Sequence, residues 1–146
     1  MSDAGGTRLP LTHALIRYVE QRAAMLAEAR RQLGVNELDA RTLLHVGANP
    51  GIRPTQLGEH LGITSAGVTA LADRLIMRGM LRREQDDSDR RVNHLFVEVD
   101  LDDEPWSMLT AFDDTLDREL RASAADTDRF ADVLDAAAGA ASRALA

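Results

Sequence analysis

A chain of 146 residues has room for one compact domain with its own core and not for two ordinary ones. It contains no cysteine, which excludes disulfides, thiolate metal sites and sensing by thiol oxidation. No stretch approaches the roughly 18 uninterrupted apolar residues that a membrane helix needs, and residues 1–7 lack the basic start and apolar run of a secretion signal. A cytoplasmic location with no membrane partner is the expectation. The net charge of −7 is unevenly spread: residues 1–97 carry thirteen arginines and eleven acids, whereas residues 98–146 carry four arginines and thirteen acids. Arg74, Arg78, Arg82, Arg83, Arg90 and Arg91 are bunched into a candidate phosphate-binding surface.

In chain order, Leu11, Leu15, Val19, Leu26 and Leu33 recur at helical spacing and predict a long amphipathic helix stopped by Gly34. Asn36 is placed to cap a second helix, with Leu38, Leu43, Leu44 and Val46 turned inward, which Asn49-Pro50-Gly51 ends. Pro54 opens a short third helix reaching His60, since proline in a first turn forfeits no helical hydrogen bond. A fourth helix is expected from Ser65 to Met80. Between the two, Gly58 lets the helices approach, Gly62 supplies the turn, and Val68, Leu71 and Leu75 close the contact from the other side. Gly67 within the fourth helix costs about 1 kcal/mol of propensity against alanine, which fits either a close backbone approach or simple tolerance.

After Gly79 the apolar period drops from 3.6 to 2. Strands are expected at Leu81–Gln85 and at Val92–Val99, joined by the polar loop Asp86-Asp87-Ser88-Asp89-Arg90-Arg91. A helix-turn-helix followed directly by such a hairpin is a winged helix. Asp102 then reads as the cap of a helix with Pro105 in its first turn and a stripe of Trp106, Leu109, Phe112, Leu116 and Leu120. A final helix runs from about Thr127 to Leu145, with Phe130, Val133, Leu134 and many alanines. The fold class is therefore mainly α with a small β-hairpin wing. A single domain, 1–146, would comprise a winged helix-turn-helix lobe at 36–100 and a helical lobe from 9–34 and 102–146. The terminal stripes exceed what so small a body can bury, so a homodimer is expected.

The motif TQLGEHLGIT, then Asp73-Arg74-Leu75 leading to Gly79, then Asp89-Arg90-Arg91 about ten residues on, resembles the MarR family of bacterial regulators over about residues 11–145. Asp102 and Pro105 depart from the threonine and glycine common in that family, although aspartate caps as threonine does. The resemblance implies a dimeric regulator whose partner is double-stranded DNA in the form of a palindromic operator, with repression relieved by a small ligand. It also places Arg91 in a minor groove, with Asp89 shaping the wing.

With Val68, Leu71 and Leu75 inward, a helical wheel turns Ala66 and Ala70 outward, flanked by Ser65, Thr69 and Arg74. Small side chains let a helix sit deep in a major groove and meet thymine methyl groups, while Ser65, Thr69 and Arg74 can hydrogen-bond bases or phosphates. The alternative for each is a solvated helix face. Arg90 and Arg91, at a hairpin tip, suit the electronegative minor groove; the alternative is a solvated charge run with its aspartates. Relatives of this kind bind small aromatic or anionic ligands in a crevice beside the dimer helices, for which Tyr18, Met25, His45 and Trp106 are the candidates, or else core residues.

The histidines at 13, 45, 60 and 94 are scattered with no paired ligand spacing, and no nucleotide-binding or nucleophile motif occurs. Neither metal, cofactor nor catalysis is expected. A competing function is a winged-helix module that binds a protein and not DNA, which the acidic tail and the wing aspartates favour and the arginines oppose.

Overall fold

The computed structural model describes residues 8–144. Among them are six α-helices and a two-stranded antiparallel hairpin. The chain parts into two compact units, the first ending at Phe112 and the second beginning at Asp113. The first helix falls in the first unit, with the winged helix.

In the first unit, α1 (Pro10–Leu33) ends where Gly34 turns left-handed at φ 65° and its N–H reaches the Arg30 and Arg31 carbonyls. Next, α2 (Glu37–Ala48) opens with a reciprocal capping box: the Asn36 side chain accepts from the Asp39 N–H at 2.8 Å, and the Asp39 carboxylate accepts from the Asn36 N–H at 3.2 Å. The helix-turn-helix proper is α3 (Pro54–Leu61) and α4 (Ser65–Met77). At Gly58 an added Cβ would stand 2.8 Å from a Val68 methyl and 3.3 Å from the Ile63 carbonyl oxygen, so the expected close approach is real. Gly62, at φ 69°, makes the turn. The Gly67 question also resolves toward close approach, since a Cβ there would meet the capping Thr64 hydroxyl at 3.3 Å.

Leu43 and Val46 of α2, Leu57 of α3, Leu71 and Leu75 of α4, and Leu81 and Leu95 of the hairpin are sealed from solvent in one core. Each such leucine contributes about 1.5–3 kcal/mol relative to exposure. Helix α4 stops at Met77, three residues before the expected end, because Gly79 is left-handed and the Met80 N–H folds back to the Leu75 carbonyl at 2.9 Å. The hairpin pairs β1 (Leu81–Gln85) with β2 (Asn93–Val97) in the register Leu81 to Val97. The second strand is shorter than expected because β1 offers nothing opposite residues beyond Val97; the Glu98 N–H bonds instead to the Met80 carbonyl at 2.9 Å. A third edge, Ile52, bridges Leu95 and ties the turn after α2 to the wing.

The helix expected from Asp102 does not start there. The Asp100 carboxylate accepts from the Asp102 N–H at 3.0 Å and the Asp103 carboxylate from the Glu104 N–H at 2.8 Å, local bonds that compete with helix formation. A 3₁₀ turn at Trp106–Leu109 follows, packed on α1, and only then α5 (Ala111–Ala122). The supposed single stripe is thus broken: Trp106 and Leu109 belong to the first unit, Leu116 and Leu120 to the second. That second unit holds most of α5 and α6 (Thr127–Ala144), neither of which buries a residue. In α1 likewise only Ala29 is buried, and Val19 and Met25 are more than half exposed, at 61% and 53%. No described helix is long and apolar enough to cross a membrane.

Candidate nucleic-acid interface

Buried Val68, Leu71 and Leu75 fix which face α4 presents outward, and Ser65, Ala66, Thr69 and Ala70 all lie exposed on it. The Thr69 hydroxyl donates to the Ser65 carbonyl at 3.1 Å, which leaves its oxygen able to accept and the small-residue face unobstructed. A cleft of about 420 Å³ between α3 and the start of α4 runs beside Ser65 and Thr69 and is lined also by Thr55, Gly58 and Glu59.

The arginine cluster divides sharply. Arg74 ion-pairs with Asp39, a carboxylate whose residue is 2% exposed, and Arg78 stands 3.7 Å from the other oxygen of the same carboxylate while donating to the Gly34 carbonyl at 2.8 Å. Arg82 bridges Glu84 and Glu98, each at 2.6 Å, with its guanidinium 4.4 Å over the Phe96 ring. Arg83 pairs with Asp73 at 2.8 Å. Among the described residues, the side chains of Arg90 and Arg91 meet no carboxylate. Arg74, expected to reach bases or phosphates, bonds the α2 cap through its guanidinium while its side chain stays 47% exposed.

One cation the sequence reading passed over stands with the wing. Arg53, just ahead of α3, shares a cleft of about 340 Å³ with Thr55, Arg91, Val92 and Asn93. Two arginines, a threonine and an asparagine therefore line one space at the start of α3, a set of residue types suited to a phosphate oxygen. The signal available in the sequence was an arginine directly before a helix-opening proline.

The wing loop is built by its own acids. The Asp86 carboxylate accepts from the Ser88 N–H and hydroxyl and from the Asp89 N–H, and the Asp89 carboxylate accepts from the Arg91 N–H at 3.0 Å. Hydrogen bonding of this kind, chiefly from Ser88 and then His94, holds the Asp86 carboxyl far below the usual carboxylate range.

Of the four candidate ligand residues, His45 lines a cleft to which Tyr18, Met25 and Trp106 do not contribute. Tyr18 lies with its ring centroid 5.2 Å from that of Phe112, and Trp106 packs against the core in the 3₁₀ turn on α1. Met25 is exposed. His45 stacks on His60 with centroids 3.5 Å apart and planes 7° from parallel. Burial, and secondarily the neighbouring His60, pushes its imidazole below the ordinary range. His45 opens on a separate cleft with Asn49, Pro50, Ile52 and Gln56. Among the described residues no cluster of three or more metal-ligating side chains occurs.

The sequence model of the MarR family matches residues 33–92, the segment that holds the capped second helix, the helix-turn-helix and the wing. Transcriptional repressor MprA of Escherichia coli (strain K12) is 34% identical over 91 residues, which is 61% of this chain and 49% of that protein. The chain thus spans about half the length of the curated relatives it matches. The fold is similar to a mutant of S. aureus MepR bound to an oligodeoxyribonucleotide, with a TM-score of 0.61 at 14% identity, covering 92% of this chain and 99% of that one. It is similar also to S. aureus MepR bound to ethidium bromide, with a TM-score of 0.63 at 13% identity, covering 92% and 96%.

The Arg74 geometry carries a stability prediction. Arg74→Ala strands a buried carboxylate with only the more distant Arg78, and its cost should be about 1–3 kcal/mol. Arg91→Ala, a change at an exposed tip, should stay within about 0.5 kcal/mol. Urea denaturation of the two variants measures both, and equal midpoints would show that Asp39 does not depend on Arg74.

Proposed function

We propose, from the match of residues 33–92 to the sequence model of the MarR family and the 34% identity to a curated repressor, that the protein is a MarR-type DNA-binding transcriptional regulator that acts as a homodimer on a palindromic operator, most simply as a repressor. One observation carries this: Arg91 of the wing shares a cleft with Arg53 and Thr55 at the start of α3, and α4 of the same helix-turn-helix leaves its small residues Ser65, Ala66, Thr69 and Ala70 exposed. In this arrangement Ser65, Ala66, Thr69 and Ala70 enter the major groove, Arg91 enters the adjacent minor groove, and Arg53 and Thr55 hold the phosphate between them. Arg74 acts by orienting α4 from behind. The alternative, a protein-binding winged helix, is weakened by the use of Asp86 and Asp89 in bonding the loop's own N–H groups, although Asp87 stays exposed.

The two-fold assembly is supported by α1, α5 and α6, whose apolar side chains are left largely uncovered in a single chain. Sedimentation should give a dimer at micromolar concentration. Replacing Val133 and Leu134 with aspartate should give a monomer that no longer binds DNA, and a monomeric mass for the unaltered protein would remove the two-fold model.

Release by a small planar ligand completes the proposal, supported by the Tyr18 and Phe112 ring pair in the unit that also holds Trp106, and by the ethidium complex of S. aureus MepR. His45, engaged with His60, drops out of that set. Benzoate or ethidium titrated into the DNA complex should release it, and Trp106→Ala should blunt the effect. Release by peroxide alone would contradict it, there being no cysteine to oxidise.

The wing provides the sharpest test. Arg91→Ala should weaken binding to every sequence and flatten the salt dependence by about one counterion per subunit, whereas Thr69→Ala should act mainly on the selected operator. Gel shifts over a salt series, with a genomic duplex selected by retention and with its scrambled copy, make the comparison. Unchanged affinity in the Arg91 variant would shift the conclusion to the protein-binding module.

A further inference from the structure

The His94 imidazole, on β2, is held between two oxygens. Its Nδ1 lies 2.7 Å from the Gly51 carbonyl oxygen and its Nε2 lies 2.9 Å from the Asp86 carboxylate. Neither partner has a proton to give, so both bonds form together only when both ring nitrogens carry hydrogen, that is, as the imidazolium. Gly51 belongs to the turn after α2, which is fixed to the core edge through Leu95, whereas Asp86 begins the wing loop. From Asp86 the bonds run to Ser88 and Asp89, and from Asp89 to the Arg91 N–H. His94 is thus the side chain that joins the rigid body of the winged helix to the loop bearing the wing arginines.

Resting on the regulator function proposed above, we infer that His94 is a positioning residue for DNA binding, whose protonation fastens the wing and so sets where Arg91 stands. The groups facing it agree with a protonated ring. Asp86 closes one side, Glu84 stands opposite in the strand register, and Arg53 provides the one opposing charge. The bond to Asp86 first, and that to Gly51 second, raise the imidazole above its ordinary value. The sign follows: the fastening is complete below the ordinary histidine pKa and is lost as pH rises through the raised value of the folded protein. A neutral ring keeps one bond, the loop gains freedom, and DNA binding must then order it.

Two variants separate this from a simple effect of positive charge. In His94→Gln the wing should be loose at every pH, with affinity near the high-pH level of the parent. In Asp86→Asn the new amide can donate to a neutral Nε2 while its oxygen still accepts from Ser88 and Asp89. The fastening then needs no imidazolium, and the wing should stay ordered with no pH step.

The experiment has two arms. In the first, NMR titration of the DNA-free protein follows the His94 ring together with the backbone order parameters of Ser88, Asp89 and Arg91. In the second, affinity for the genomic duplex selected by retention is measured over the same pH range. The expected result is a His94 midpoint above the ordinary histidine range, loss of wing order at that midpoint, and affinity falling there by up to about tenfold per pH unit for each proton released. The step should be absent in both variants. A His94 midpoint at or below the ordinary value, wing order indifferent to it, or a pH step that survives His94→Gln would overturn the inference. If wing order follows His94 but no duplex binds at any pH, the fastening stands and the DNA-binding function falls.

Discussion

Asp39 lies almost entirely out of solvent, yet three groups converge on its carboxylate. It accepts from the Asn36 N–H at the start of α2, it ion-pairs with Arg74 near the end of α4, and Arg78 approaches it while reaching the Gly34 carbonyl at the end of α1. A buried carboxylate without cations costs several kcal/mol, so the arrangement is tolerable only with the partners in place. That requirement determines how α4 lies. The helix cannot rotate about its axis without stranding Asp39, and its small-residue face is thereby held outward while its leucines fill the core. Every statement about Ser65, Thr69 or the wing presupposes this orientation.

The same pairing explains how an acidic chain can present a cationic edge. Six arginines between 74 and 91 look interchangeable in the sequence, but four of them are neutralised in place by Asp39, Asp73, Glu84 and Glu98. Those four tie α4 and the hairpin to their surroundings, and among the described residues Arg90 and Arg91 meet no carboxylate. Exposed pairs such as Arg83 with Asp73 contribute little stability.

Much of this was legible in the chain. Leucines at period 3.6 and then at period 2 specify helix and strand through burial, and Gly58 and Gly62 stand where a tight inter-helix turn needs them, which is why the helix-turn-helix and hairpin emerged nearly at their observed bounds. What failed was what local pattern does not encode. Arg74 and Asp39 are 35 positions apart, so their pairing depends on tertiary placement. The Asp102 start failed because several acids in succession preferred to cap one another's N–H groups, a competition that composition cannot rank. Arg53 was missed because the charge count stressed the cluster and not the folded neighbourhood of the wing.

The wing acids show why net charge is a poor guide to a nucleic-acid face. Asp86 and Asp89 lie within five residues of Arg91, and as point charges in an extended chain they would offset it. Folded, the Asp86 carboxylate turns toward His94 and the loop N–H groups, and Asp89 turns toward the Arg91 backbone. Oxygens satisfied by N–H donors in this way have part of their charge compensated locally, and they shorten the loop's range of conformations. An acid that would repel phosphate from the tip of a flexible loop becomes the means of holding the cation at that tip. The same residues can therefore argue against DNA binding when counted and for it when placed, and the distances around Asp86 favour placement.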